Sequence, residues 1–281
     1  VIISGGGVKY SKASAALLQF AEGLNIPVAT SLNGKDTFLA NHPLSAGVVG
    51  TYSRGSANQI VKNADTVCFV GTKTGGMTTH FWNIPEVGIP AIQIDIDPAE
   101  IGRNYPLKAS VQGDALTVLE KMISLMDTST GKNRENWVKE CNEIVSNWYS
   151  SFDNLLNSDN VPIRPERLCK ELTNLVPSDS LIVVDTGHAG MWMGGMFDIT
   201  SPSQNYIRSA GHLGWAFPAA LGAKCALPQR PVICFTGDAG FWYHIGEIET
   251  AVRWNINSII VVNNNSAGNQ SKTGFDRAYG G

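Results

Sequence analysis

A chain of 281 residues is long enough for two domains of ordinary size. Hydrophobic residues make up 43% and charged residues 16%, the balance of a globular protein with an ample core. The net charge of −3 offers no electrostatic case for binding nucleic acid or an anionic membrane surface.

The longest apolar runs are too short to span a bilayer, and the apolar first residues lack the basic n-region and cleavage site of a signal peptide. Cys68, Cys141, Cys169, Cys225 and Cys234 are scattered and odd in number. They fit buried thiols in a reducing, cytoplasmic compartment better than a disulfide framework.

Strands and helices alternate from the start. VII (1–3) reads as a strand, SKASAALLQFAEGL (11–24) as a helix and PVAT (27–30) as a strand. SANQIVKNA (56–64) is a predicted helix, TVCFVG (66–71) and PAIQIDID (90–97) are strands, and a helix runs from about Ala115 to Met126. This is the pattern of a parallel, Rossmann-like α/β domain over residues 1–127. Residues 128–164 are polar and carry a Trp-bearing helix near 134–156, which reads as a helical linker.

The alternation restarts at Pro165. A helix covers 166–175, SLIVVD (180–185) is a strand, and PAALGAKCAL (218–227) is a helix. VICFT (232–236), HIGEIETAVRW (244–254) and SIIVV (258–262) then read as strand, helix and strand. The expected fold class is α/β, with two doubly wound parallel-sheet domains of three αβα layers, the second over 165–281. The chain starts inside a strand and stops one loop after a core strand, which predicts a piece of a longer polypeptide with material missing on both sides.

The stretch Gly237–Asn265, GDAGFWYHIGEIETAVRWNINSIIVVNNN, carries the most chemistry. In a βαβ unit the two strands are parallel, so Asp238 and Asn265 leave the sheet on the same edge. Their oxygens suit one hard cation such as Mg²⁺, and Gly237 and Gly240 let the backbone approach an anionic group. The bland alternative is that Asp238 caps a helix and the asparagines make a turn.

This stretch resembles the diphosphate-binding signature of thiamine-diphosphate enzymes, in which GDG is followed about two dozen residues later by NN. The likeness covers essentially the whole chain and is to the middle and C-terminal domains of the acetolactate synthase, pyruvate oxidase and decarboxylase group. It implies Mg²⁺ held by the Asp238 and Asn265 side chains and the Ala267 carbonyl, clamping the cofactor diphosphate. Ala239 departs from the family, which has Gly there; a negative φ would make the methyl tolerable.

SAGHLGWAFPAALGAK (209–224) resembles a second family block. By that match Gly211 offers its backbone to the aminopyrimidine, Leu213 is the apolar prop under the thiazolium, and His212 is a candidate to face substrate. Helix initiation and core packing explain Pro218 and Ala219 well, but not GHLG. In VVDTGHAGMW (183–192) the resemblance makes Gly187 and His188 candidates for diphosphate contact. After Asn265 the chain runs SAGNQSKTGF, unlike acetolactate synthases, so Asn269 and Gln270 either face substrate or lie on a flexible covering loop.

In the first domain SGGGV (4–8), Thr30, Ser31, Gly50, Thr51, Gly71, Thr72, Asp95, Ile96 and Asp114 match the family's middle domain. Relatives bind FAD, an adenine nucleotide or nothing there, and TKTGGMT in place of an Arg-containing acidic segment weakens the case for FAD. The resemblance further implies a 2-oxo acid substrate, a homodimer or homotetramer, and an activating Glu from a separate N-terminal domain. Glu247 and Glu249 lie on the helix after the metal loop and do not suit that role. The alternatives are a decarboxylase, oxidase or lyase of the same group, or a non-catalytic remnant kept for assembly.

Overall fold

The computed structural model describes residues 1–280, which form two compact units, Val1–Ser158 and Asp159 onward. The first runs β1 (Ile2–Ser4), α1 (Gly6–Tyr10), α2 (Ser14–Leu24), β2 (Val28–Thr30), β3 (Ser45–Val48), α3 (Gly55–Asn63), β4 (Val67–Val70), β5 (Ala91–Asp95), β6 (Leu107–Gln112), α4 (Ala115–Leu125), α5 (Glu135–Ser151) and α6 (Asp153–Leu156). Its six strands are all parallel, in the order β3-β2-β1-β4-β5-β6. Such a sheet must be covered on both faces, and alternate side chains divide accordingly. Ile2, Val28, Val70 and Ile94 pack with Leu17 and Phe20 of α2 and Leu119 of α4. Ile3, Ala29, Phe69 and Ala91 pack with Ile60 and Val61 of α3 and Cys141 of α5. Each large side chain fully buried this way adds about 1.5–3 kcal/mol.

The helix read as part of a linker is α5, and it lies in the first unit, with Trp137, Ile144 and Val145 against the core. The expected helix over 11–24 begins only at Ser14, after Lys12 takes a positive φ of 57°, and Gly6–Tyr10, outside that expectation, forms a short helix of its own. Strands β3 and β6 were not predicted. SAGV contains Gly47 at φ 92°, and LKASVQ is exposed on its outer flank, so neither carries the apolar run that marks a buried strand.

The second unit runs α7 (Pro165–Leu175), β7 (Leu181–Val184), α8 (His188–Gly195), β8 (Asn205–Arg208), α9 (Ala216–Ala226), β9 (Val232–Gly237), α10 (Asp238–Trp242), α11 (Glu247–Arg253), β10 (Ile259–Asn263) and α12 (Asn269–Tyr279). Its four parallel strands are ordered β10-β9-β7-β8. Leu181, Val183, Val232 and Cys234 face Ala216, Phe217, Ala220 and Leu221 of α9. The alternate residues Ile182, Val184, Ile233 and Phe235 are buried on the other face. The parallel three-layer expectation therefore holds for both units.

Two local expectations are corrected. The helix predicted over 244–254 is confined to Glu247–Arg253, because Asp238–Trp242 forms a separate short helix and the residues between make a turn. The segment after Asn265 is a helix from Asn269, not a flexible loop.

None of the five cysteines is in a disulfide. Burial pushes the Cys68 thiol up to about 11 and the Cys141 thiol up to about 12, and it raises Cys234 further, with the Asp185 carboxylate adding to the shift. Cys169 is buried and Cys225 is exposed. In the native protein at about pH 8, a thiol-reactive disulfide reagent should therefore label Cys225 rapidly and the other four only after denaturation. Rapid labelling of Cys141 or Cys234 in mass-mapped peptides would contradict this core.

Candidate active site

The ends of β7, β9 and β10 define one edge of the second sheet. Because Asn263 pairs with Gly237 in parallel register, Asp238 stands one residue past that pair and Asn265 two residues past it. Gly237, not Asp238, is the N-cap of α10, and no side chain caps that helix. The Asp238 carboxylate takes no side-chain hydrogen bond or ion pair among the described residues. The capping alternative is thus removed, and both oxygens are open to a cation.

Asn265 behaves differently. Its Oδ1 accepts the Ala267 amide at 3.2 Å, as Asn264 Oδ1 accepts Ser266 N–H at 2.8 Å, and Ser266 takes a φ of 56°. The asparagines do build a tight turn, and one lone pair on the Asn265 oxygen remains after that contact. Asn265 and Ala267 therefore share one turn, beside the strand that leads into Asp238. Between them these residues could offer only oxygen donors, the ligand type that suits Mg²⁺ rather than a soft metal.

The short stretch Gly211–Gly214 is exposed up to Leu213 and buried at Gly214. Leu213 is 41% exposed although apolar, and no heavy atom lies within 4 Å of where a Gly211 Cβ would sit. An apolar side chain and an open backbone held at a polar sheet edge fit a cofactor with an aromatic body. His212 is exposed and has no side-chain contact that bears on this arrangement.

His188 is the first residue of α8, and the loop before it is only Asp185–Gly187. The Asn269 side-chain amide lies 3.4 Å from His188 Nδ1, and a Cβ on Gly187 would fall 3.2 Å from Gln270 Oε1. The N-terminal turn of α12 therefore covers the β7–α8 loop, bringing Gly187, His188 and Asn269 together. Ala239 lies inside α10 with no positive φ, so its methyl costs no backbone strain.

One residue that joins these pieces has no motif behind it. Asp185, 1% exposed, accepts the Thr186 amide (2.8 Å) and the Gly214 amide (3.1 Å) on Oδ1 and the Thr236 hydroxyl (2.8 Å) on Oδ2. Its only trace in the sequence is a carboxylate ending the apolar run SLIVV. Gly240 is required beside it: a Cβ there would sit 2.7 Å from Asp185 Oδ2. Gly214, at φ 86°, is pressed against the Gly240 carbonyl and Tyr243.

Several candidates of the first unit make structural contacts. Gly5 and Gly7 are pressed onto Gly71, and Gly50, at φ 108°, onto the Met77 carbonyl. Ser31 accepts Gly34 N–H, Asp95 accepts Asp97 N–H, and Asp114 caps α4 through the Leu116 and Thr117 amides. Among the described residues no group of three or more His, Cys, Asp or Glu side chains is placed to hold a metal.

Residues 1–122 match the family model for the thiamine pyrophosphate enzyme central domain, and residues 185–280 match that for the C-terminal TPP binding domain. The chain belongs to the thiamine pyrophosphate enzymes. It is 35% identical over 280 residues to a probable acetolactate synthase large subunit of Methanococcus aeolicus, covering 94% of this chain and 46% of that protein. It is 32% identical to the acetolactate synthase large subunit of Buchnera aphidicola subsp. Acyrthosiphon pisum and 28% identical to acetolactate synthase isozyme 3 large subunit of Escherichia coli K12; each covers all of this chain and 49% of the relative. The chain thus spans about half the length of the curated relatives it matches. The TPP-binding match begins at Asp185 and takes in the candidate site residues of the second unit.

Gly240→Ala should drive a methyl into the Asp185 carboxylate and cost about 1–3 kcal/mol of stability. A thermal melt unchanged from wild type would show that the contact is not tight in solution.

Proposed function

We propose that this chain is the cofactor-holding part of a thiamine-diphosphate- and Mg²⁺-dependent enzyme of the acetolactate synthase type, acting on 2-oxo acids. The observation that carries the reading is the Asp238 carboxylate, free of side-chain partners at the sheet edge and beside the Asn265–Ala267 turn. Bound there, thiamine diphosphate supplies a nucleophilic carbon and an electron sink for breaking or making a C–C bond next to a carbonyl.

The chain's own residues position and shield. Asp238, Asn265 and the Ala267 carbonyl hold the metal and, through it, the diphosphate. Gly211 offers open backbone to the ring end of the cofactor, and Leu213 supports its apolar body. Gly187, His188 and Asn269, gathered under α12, close the diphosphate side and exclude water.

Neither glutamate near the metal loop serves as the activating acid. Glu249 is paired with Arg253 at 2.6 Å along α11, and Glu247 lies on the first turn of the same helix. The activating Glu belongs to a domain outside this chain, as half-length coverage of the relatives supports. We extend the reading to a homo-oligomer in the cytoplasm; among the described residues no helix is long and apolar enough to cross a membrane.

In the full-length protein, Asp238→Ala should weaken Mg²⁺-dependent binding of thiamine diphosphate by about 100-fold or more, since loss of even an outer-shell partner costs 10–100-fold. Isothermal titration with and without Mg²⁺ measures it, and unchanged affinity would sink the metal assignment. With pyruvate, the full-length wild type should release acetolactate; acetaldehyde or acetate as the main product would move the activity to a decarboxylase or oxidase of the same group.

A further inference from the structure

Asp185 is a buried carboxylate whose three recorded partners are all neutral donors: two backbone amides and a hydroxyl. Among the described residues it makes no ion pair. Burying a charge without a cation is costly, and an apolar residue of similar size would pack this spot at lower cost. Something other than core packing must account for a carboxylate here.

One hydrogen bond stays within the Asp185–Thr186 loop itself, and the other two tie that loop to two further segments. Thr186 leads directly into Gly187 and His188. Gly214 ends the Gly211–Leu213 stretch. Thr236 precedes Gly237 and Asp238 at the end of β9. No backbone ladder ties Gly214 to either strand end, so their relative placement depends on side-chain contacts. A carboxylate suits this task because two oxygens accept from several directions at once, and charge makes each hydrogen bond stronger than a neutral one. The missing side chain of Gly240 leaves the space in which Oδ2 sits.

We infer that Asp185 is the positioning residue of the cofactor cradle, fixing the diphosphate loop, the ring-supporting Leu213 and the metal-bearing Asp238 relative to one another. It acts through those residues and does not itself touch cofactor. The inference rests on the thiamine-diphosphate reading above.

Asn is the discriminating replacement. Its Oδ1 still accepts the Thr186 and Gly214 amides, and its amide donates to Thr236 Oγ1. The Thr236 hydroxyl is then free to turn to its second acceptor, the Gly237 carbonyl at 3.2 Å. Asp185→Ala removes all three contacts, and Thr236→Val removes one.

The test is the Kd for thiamine diphosphate with Mg²⁺, by fluorescence titration of the full-length protein, on variants whose far-ultraviolet circular dichroism matches wild type. Asp185→Ala should bind tenfold or more weakly, Asp185→Asn within about threefold of wild type, and Thr236→Val in between. Wild-type affinity in Asp185→Ala, or Asn as weak as Ala, overturns the positioning role. If Asp185→Ala does not fold, Thr236→Ser against Thr236→Val decides: wild-type affinity in Ser with several-fold loss in Val supports the role, and equal affinities overturn it. A folded wild type that binds no thiamine diphosphate refutes the proposed function, and this inference with it. A wild type that binds it alongside an equally competent Asp185→Ala refutes the positioning role alone.

Discussion

Parallel strand pairing is the constraint from which the site follows. When β7, β9 and β10 run the same way, their C-terminal ends share one edge, and every chain segment leaving that edge starts from the same place. Asp238 and Asn265 are 27 positions apart in sequence yet stand one and two residues past a single pair, Gly237 and Asn263. No long-range side-chain contact is needed to bring them near each other. The same geometry demands helices on both faces, so α9 and the β-strand cores are apolar for reasons unconnected with chemistry.

Pairing alone does not set the edge in order. The segments that leave it are loops and short helices with no ladder between them. Hydrogen bonds from one buried carboxylate bridge them, and glycines at Gly214 and Gly240 permit the close approach. The unfavourable burial of a carboxylate at Asp185 is offset by three hydrogen bonds, which is the arrangement expected where local stability is given up for placement. In contrast, Gly5, Gly7 and Gly50 of the first unit lie against the chain's own backbone.

Much of this was legible in the sequence. Runs such as VICFT and SIIVV announce buried parallel strands because both faces of such a sheet are covered, and they were placed within a residue or two. GDAG and NNN stood out because oxygen-bearing and small residues at strand ends are what a metal–diphosphate clamp would need, whatever surrounds them. Strands β3, β6 and β8 were not legible: SAGV, LKASVQ and NYIR lack an apolar run, and only pairing with neighbours makes them strands. The helix after Asn265 was missed because NQSKTGFDRAY is polar and mostly exposed, with little burial to mark its face.

What the sequence by itself determined is the alternation of strands and helices, the parallel α/β class and the presence of oxygen-bearing residues after two neighbouring strands. These are local properties, carried by apolar runs and by residue type. What only the tertiary structure decided is how the donors are held: that Asp238 is free rather than a cap, that His188 opens a helix under Asn269, and that Asp185 ties three segments together. Those facts depend on contacts across as many as 81 positions of sequence, and a carboxylate at the end of a strand looks the same in sequence whether it meets water or three buried donors.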